Sequence, residues 1–228
     1  MFFIDYWYIV LVVPAILLGL LAQSMVSAAF NKYLKIRTSY GYTAEQVARQ
    51  ILDQNGLYNV QIQRIQGNLT DNYNPQTNIV SLSDSVYGNN SIAAIGVAAH
   101  EVGHAIQHAK GYFPIKVRQA IIPVTNFGST ISPFLIILGF LLGSTPLAML
   151  GVILFSTVAV FQLVTLPVEF NASHRALNTL DSFGILTRDE ISGARAVLTA
   201  AAMTYVAALI TSLAQLLRLI LILSQDRD

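Results

Sequence analysis

The sequence predicts a mainly α-helical membrane protein in which four transmembrane helices carry a small α+β domain, and three observations predict it. Charged residues make up only 11% of the 228 positions, against roughly 25% in soluble domains. Mean hydropathy is +0.57, so the apolar excess has to face something other than water. The apolar residues also fall into four long runs, 7–30, 125–142, 147–166 and 197–223, and crossing a hydrocarbon core takes about 20 residues of helix. Thirteen Lys and Arg against twelve Asp and Glu leave a formal charge of +1, which gives no field for attracting nucleic acid. The absence of Cys removes disulfides, thiolate metal sites and thiol nucleophiles together.

The first run carries Asp5 and no Lys or Arg ahead of it, the wrong sign for an export signal. It is expected to be a retained anchor with Trp7 and Tyr8 at an interface. Only Gly143, Ser144, Thr145 and Pro146 separate the second and third runs, which predicts a helical hairpin. Gly139 and Gly143 form a GxxxG suited to close packing. Lys32, Lys35, Arg37, Arg49, Arg64, Lys110, Lys116 and Arg118 lie between the first two runs, and Arg175, Arg188 and Arg195 between the last two. Eleven of thirteen positive charges therefore share a side. The positive-inside rule places that side in the cytoplasm, with both termini and the 143–146 turn outside. Arg218, near the outer end of the fourth run, is expected to snorkel. The organisation that follows is an anchor over 1–30, a catalytic domain over 31–120, a transmembrane hairpin over 121–168, a returning segment over 169–196, and a last helix with a short tail over 197–228.

Within the polar part, Thr43 followed by Glu45, Val47, Ala48, Ile51 and Leu52 predicts a capped amphipathic helix ending at Asn55-Gly56. Val60, Ile62 and Ile65 predict a strand, residues 71–75 a turn, and residues 78–82 a second strand with a period of two. That second strand is expected to be an edge that holds an extended peptide by main-chain bonds. Asn90-Ser91 can cap a helix running from Ile92 to about Lys110 and closed by Gly111.

This last helix contains His100-Glu101-Val102-Gly103-His104, an HExxH. Two His four residues apart share a helical face and can reach one Zn²⁺. The Glu between them sits where its carboxylate can take a proton from a metal-activated water. A catalytic zinc site keeps one position open, so a third protein ligand must come from elsewhere. His108 lies eight residues past His100, about 12 Å along a continuous helix and too far for one ion. Glu169, just after Pro167, is the better candidate, because a carboxylate at the mouth of a membrane helix is costly unless ligating or paired. The competing reading is an interfacial Glu paired with Arg175 or Arg118. His174, with Arg175 and Asn171, is a candidate for stabilising an oxyanion, although surface helix residues look the same in sequence.

Residues 91–108 (SIAAIGVAAHEVGHAIQH) and 163–173 (LVTLPVEFNAS), with Ile51-Leu52-Asp53, Gly56-Leu57-Tyr58 and residues 204–208, resemble the bacterial neutral zinc metallopeptidase family of the YugP type over nearly the whole chain. More distantly the chain is similar to the HtpX and CAAX-prenyl membrane proteases, in which HExxH is followed by ExxxD. The resemblance implies a gluzincin-like zinc-protease domain, with His100, His104 and Glu169 binding zinc and Glu101 acting as base. Ser173 departs from the distant pattern, standing where Asp is found there. The expected function is an integral membrane zinc metalloendopeptidase acting on membrane-associated proteins or peptides, in the bacterial plasma membrane with its active site in the cytoplasm. The alternative is a non-catalytic membrane zinc protein that acts as a scaffold or chaperone.

Overall fold

The computed structural model describes residues 5–225. The extreme termini, expected on the outer side, lie outside the described residues. A π-helical turn over Tyr8–Val12 leads into α1 (Val13–Tyr33), followed by α2 (Ala44–Gln54), β1 (Gln61–Ile65), β2 (Asn72–Asn74), β3 (Ile79–Ser83), α3 (Ile92–Ala109), α4 (Phe113–Leu141), α5 (Thr145–Ser182) and α6 (Arg188–Gln225). The π turn directly precedes Pro14, whose missing N–H cannot complete an α-helical ladder, and a local change of helical pitch absorbs that loss. Four helices are long and apolar enough to cross a membrane, and only 11–28% of the most apolar stretch of each is buried by protein. Helices apolar around their whole circumference and left uncovered need lipid as their surroundings.

All four helices outrun the expected segments. α5, at 38 residues, is about 57 Å long. It passes through Pro167 without a break, so Glu169 lies within one continuous helix and does not open a new segment. Such an internal proline is tolerated in a membrane helix whose neighbours satisfy the freed backbone.

The chain divides into two compact units, Met1–Gln23 with Lys116–Pro167 and Met203–Asp228, and Ser24–Ile115 with Val168–Ala202. In the first, α4 and α5 form the expected hairpin. A Cβ on Gly139 would lie 2.7 Å from Ala148 Cα, and one on Gly128 would lie 2.7 Å from the Leu154 carbonyl. Gly143 plays a different part: it adopts φ +62°, and the Ser144 N–H closes α4 on the Gly139 carbonyl at 2.8 Å. The pair is thus one packing glycine and one turn glycine. In the same unit Arg218 is 7% exposed and its Nε donates to Asp5 Oδ2 at 2.8 Å. The guanidinium also lies over the Tyr8 ring at 5.1 Å. Arg218 does not snorkel, because its counter-charge is within the fold.

In the second unit, the buried faces of α2 (Val47, Ile51, Leu52), β3 (Val80, Leu82) and α3 (Ile95, Val102) share one core with Leu180 of α5 and Ala194 of α6. The α2 helix stops as expected, with Gly56 at φ +73° and the Leu57 N–H on the Leu52 carbonyl at 2.9 Å. Sheet order is β1-β3-β2. β3 pairs with β1 in parallel and with β2 antiparallel. Two expectations are corrected here. Residues 72–74, assigned to a turn, form β2, and the strand at 79–83 lies in the centre of the sheet and is not an edge. Its burial pattern shows why: Val80, Ser81, Leu82 and Ser83 are all buried, as a strand covered on both sides must be. At its end the Ser83 N–H and hydroxyl donate to Asp71 at 2.7 and 2.9 Å. The start of α6 is closed by a capping box, in which Glu190 accepts from the Thr187 N–H at 2.8 Å. The same carboxylate holds the loop after α1 by accepting from the N–H and hydroxyl of Ser39 at 2.7 and 2.8 Å.

Candidate metal centre

α3 begins where the Ser91 hydroxyl accepts from the Ala94 N–H and ends at Gly111, φ +63°, with the Tyr112 N–H on the Gln107 carbonyl at 2.9 Å. The helix is unbroken through Ala109. His100 and His104 therefore lie one turn apart with their rings edge to face, centroids 4.7 Å apart, and His108 is carried round to an exposed position beside Tyr73, ring centroids 6.2 Å apart. α5 approaches α3 at Gly103: a Cβ there would lie 2.8 Å from the Ala172 carbonyl oxygen. The small residue inside the HExxH is what lets the two helices come this close.

That approach brings Glu169 to both histidines. Its Oε2 lies 3.2 Å from His100 Nε2 and 3.4 Å from His104 Nε2. Donor atoms of the three residues all lie within 4.8 Å of one another, so the group could hold a metal ion. Bonds of about 2.0–2.1 Å to a tetrahedral ion put neighbouring donors about 3.3–3.4 Å apart, and the two distances match that edge. Two imidazoles with one carboxylate also form a donor set that suits zinc. The Glu169 side chain is 3% exposed, and the imidazoles 14% and 12%.

Glu101 is buried on the same helix. Burial pushes its carboxyl above the ordinary value, against the opposing pull of the His100 and His104 imidazoles, and the charges of Glu169 and Asp71 push the same way as burial. Burial opposes a charge on His104, yet the hydrogen bond and charge of Glu169 outweigh it and hold its pKa above the ordinary value.

The second nitrogen of each imidazole also has a partner. His100 Nδ1 lies 3.1 Å from Ser173 Oγ, and His104 Nδ1 lies 3.0 Å from Gln107 Oε1. Ser173 thus occupies the place beside His100 where an acid was the expectation from the distant pattern, and it does so without charge. Gln107 was missed in sequence. Its signal was a Gln three residues past the second His in an otherwise apolar helix. The structure does not bring His174 to this group: it is exposed and its Nε2 faces Asn178 Nδ2 at 2.9 Å. Asn171 is linked to the group through Gln107, whose Nε2 donates to Asn171 Oδ1 at 3.0 Å, and Arg175 Nε donates to the same oxygen at 2.7 Å.

Residues 8–224 match the protein family described as "Putative neutral zinc metallopeptidase". The chain is 48% identical over 221 residues to a Bacillus subtilis (strain 168) protein named "Putative membrane protease YugP", covering 97% of this chain and 98% of the other. No solved structure matches the chain.

Proposed function

This chain belongs to the neutral zinc metallopeptidase family, and from that premise we propose that it is an integral membrane zinc metalloendopeptidase, with His100, His104 and Glu169 as zinc ligands and Glu101 as general base. The observation that carries the reading is the convergence of two imidazole Nε2 atoms on one Glu169 oxygen at 3.2 and 3.4 Å, on the same helix as a buried glutamate. Zinc, when bound, supplies a Lewis acid that polarises a scissile carbonyl and lowers the pKa of a coordinated water toward about 7. Glu101 takes the proton of the attacking water and passes it to the leaving amine. A carboxyl raised by burial suits a group that must both accept and return a proton.

An extended substrate would add to the outer edge of β2, gaining main-chain hydrogen bonds. This replaces the edge role once expected of residues 78–82. Support comes from Tyr73 of β2, whose ring lies 6.2 Å from that of His108 on the helix that carries Glu101. The four uncovered apolar helices support a multi-pass protein of the bacterial plasma membrane, and the distribution of Lys and Arg supports a cytoplasmic site acting on membrane-associated proteins.

The test is hydrolysis of casein by the purified full chain and its inhibition by phenanthroline. Glu101→Gln should keep about one zinc per chain, because Glu101 is not a ligand. It should lose activity by at least about 10²- to 10⁴-fold, the usual worth of a general base. Most of the activity surviving in that variant removes Glu101 from the chemistry. Zinc bound by a wild type that cleaves no peptide would favour the scaffold reading.

A further inference from the structure

Gln107 is fully buried, one turn beyond His104. Its Nε2 lies 2.8 Å from the Val168 carbonyl oxygen and 3.0 Å from Asn171 Oδ1. A backbone carbonyl can only accept, so the orientation of the Gln107 amide is fixed: nitrogen toward Val168, oxygen toward His104. The amide oxygen is also acceptor-only, and it sits 3.0 Å from His104 Nδ1. The proton of that contact must therefore be on Nδ1. In the neutral ring a proton on Nδ1 leaves none for Nε2, which faces Glu169 at 3.4 Å, so Gln107 and the Glu169 carboxylate compete for it, and a metal taking the Nε2 lone pair settles it in favour of Gln107. No such constraint acts at His100, where the Ser173 hydroxyl can donate or accept.

The same amide ties α3 to the residues on either side of Glu169. Asn171 Oδ1 accepts from Gln107 and from Arg175 Nε. Arg175 lies over the Tyr112 ring at 5.9 Å, and the Tyr112 N–H returns to the Gln107 carbonyl at 2.9 Å. The contacts close into a loop that begins and ends at Gln107 and spans Val168 to Asn171.

We propose that Gln107 is a positioning residue with two effects. It locks His104 in the Nδ1–H tautomer, so that Nε2 is presented as a ligand. It also holds the register of α5 against α3, so that the Glu169 carboxylate reaches both imidazoles. This rests on the zinc-site reading above, but not on peptidase activity. Outer partners of ligand histidines set ring orientation and typically change metal affinity by about 10- to 100-fold when lost.

The experiment uses the full chain in detergent and two variants. Gln107→Met fills the volume but removes every polar contact, whereas Gln107→Glu keeps an acceptor for His104 and loses the donors to Val168 and Asn171. The zinc dissociation constant is measured by competition with a chelator. The tautomers are read by nitrogen NMR of histidine-labelled, metal-free protein at alkaline pH, where the chain's four His give a countable spectrum. Expected are an Nδ1–H ring for His104 in the wild type, about 10- to 100-fold weaker zinc in Gln107→Met, and recovery of part of that loss in Gln107→Glu. An unprotonated Nδ1 on His104 in the wild type overturns the proposal, and so does zinc bound by Gln107→Met within twofold of wild type. If Gln107→Met fails to fold, the wild-type tautomer and Gln107→Glu decide. A wild type that binds zinc with this tautomer yet hydrolyses nothing would remove the peptidase reading and leave the positioning role standing.

Discussion

The third candidate ligand decides whether three side chains or two could hold a metal ion. Glu169 lies 65 residues past His104, while His108 is four past it, so proximity in sequence and proximity in space point in opposite directions. α3 continues to Ala109, which keeps His108 on an exposed surface, and α5 delivers Glu169 to within 3.4 Å of both Nε2 atoms. Glu169→Ala should leave protein with little zinc and no hydrolysis. His108→Ala should retain about one zinc per chain at micromolar free metal, since it removes only a ring contact with Tyr73. Metal analysis of both purified variants checks this, and zinc lost from His108→Ala but kept by Glu169→Ala would reverse the assignment. The HExxH was legible in sequence because a helix fixes the i, i+4 relation locally. Glu169 stands out in sequence because an acid beside an apolar run is costly without a partner, although α5 carries it inside one continuous helix and not at a helix end. Gln107 offers only a faint local signal, because its polar partners lie 61 and 64 residues away, and Asp71 accepts from Ser83 across a strand pairing that no local pattern reveals.

Two glycines seven residues apart on α3 face different helices, and their surroundings separate a packing role from a site role. A Cβ on Gly96 would lie 3.4 Å from Ala194 Cβ of α6, an ordinary contact, whereas on Gly103 it would lie 2.8 Å from a backbone oxygen of α5. Gly96→Ala should be neutral or stabilising, because the helix gains up to about 1 kcal/mol of propensity. Gly103→Ala must push α5 away, at a cost of about 1–3 kcal/mol, and it carries Glu169 with it. Melting temperature and zinc affinity measured together check this: both should fall in Gly103→Ala and neither in Gly96→Ala. Equal zinc affinity in the two variants would mean that the α3–α5 distance does not set the site. At this scale the sequence was read well where signals are local, as in the Ser91 cap and the Gly56 and Gly111 stops. It was read poorly where order in space differs from order along the chain. β3 becomes central only because β1 and β2 both pair with it, and a period of two cannot reveal that. The third apolar run ends at residue 166 in sequence, yet α5 continues through Pro167 to Ser182, because a helix can pass from lipid into a polar domain without a break.

Across the whole molecule the proposed topology rests on the positive charges, and Arg218, paired with Asp5, is one that falls outside the main group. These residues are 213 positions apart, and the Asp5 carboxylate supplies the counter-charge of a buried guanidinium, but Arg218 still counts as an exception, because the rule weighs Lys and Arg and not net charge. Arg227 is the second exception, and the other eleven of thirteen Lys and Arg lie in two chain segments that the rule places on one side, the side expected to hold Glu101 and Glu169. Because the chain has no Cys, single substitutions report without background. Thr77→Cys and Ser192→Cys are exposed positions of the polar segments, and Ser144→Cys and Ser224→Cys lie at the opposite helix ends. With an impermeant thiol reagent on intact cells, the first pair should be shielded and become reactive only after lysis, whereas the second pair should react at once. Each variant first has to retain wild-type zinc content, which ties the labelling pattern to the folded protein. The reverse pattern would put the metal centre on the outer face. The substrates would then be exported or surface proteins, and the cytoplasmic assignment drawn from the positive charges would fall while the chemistry of the site stood.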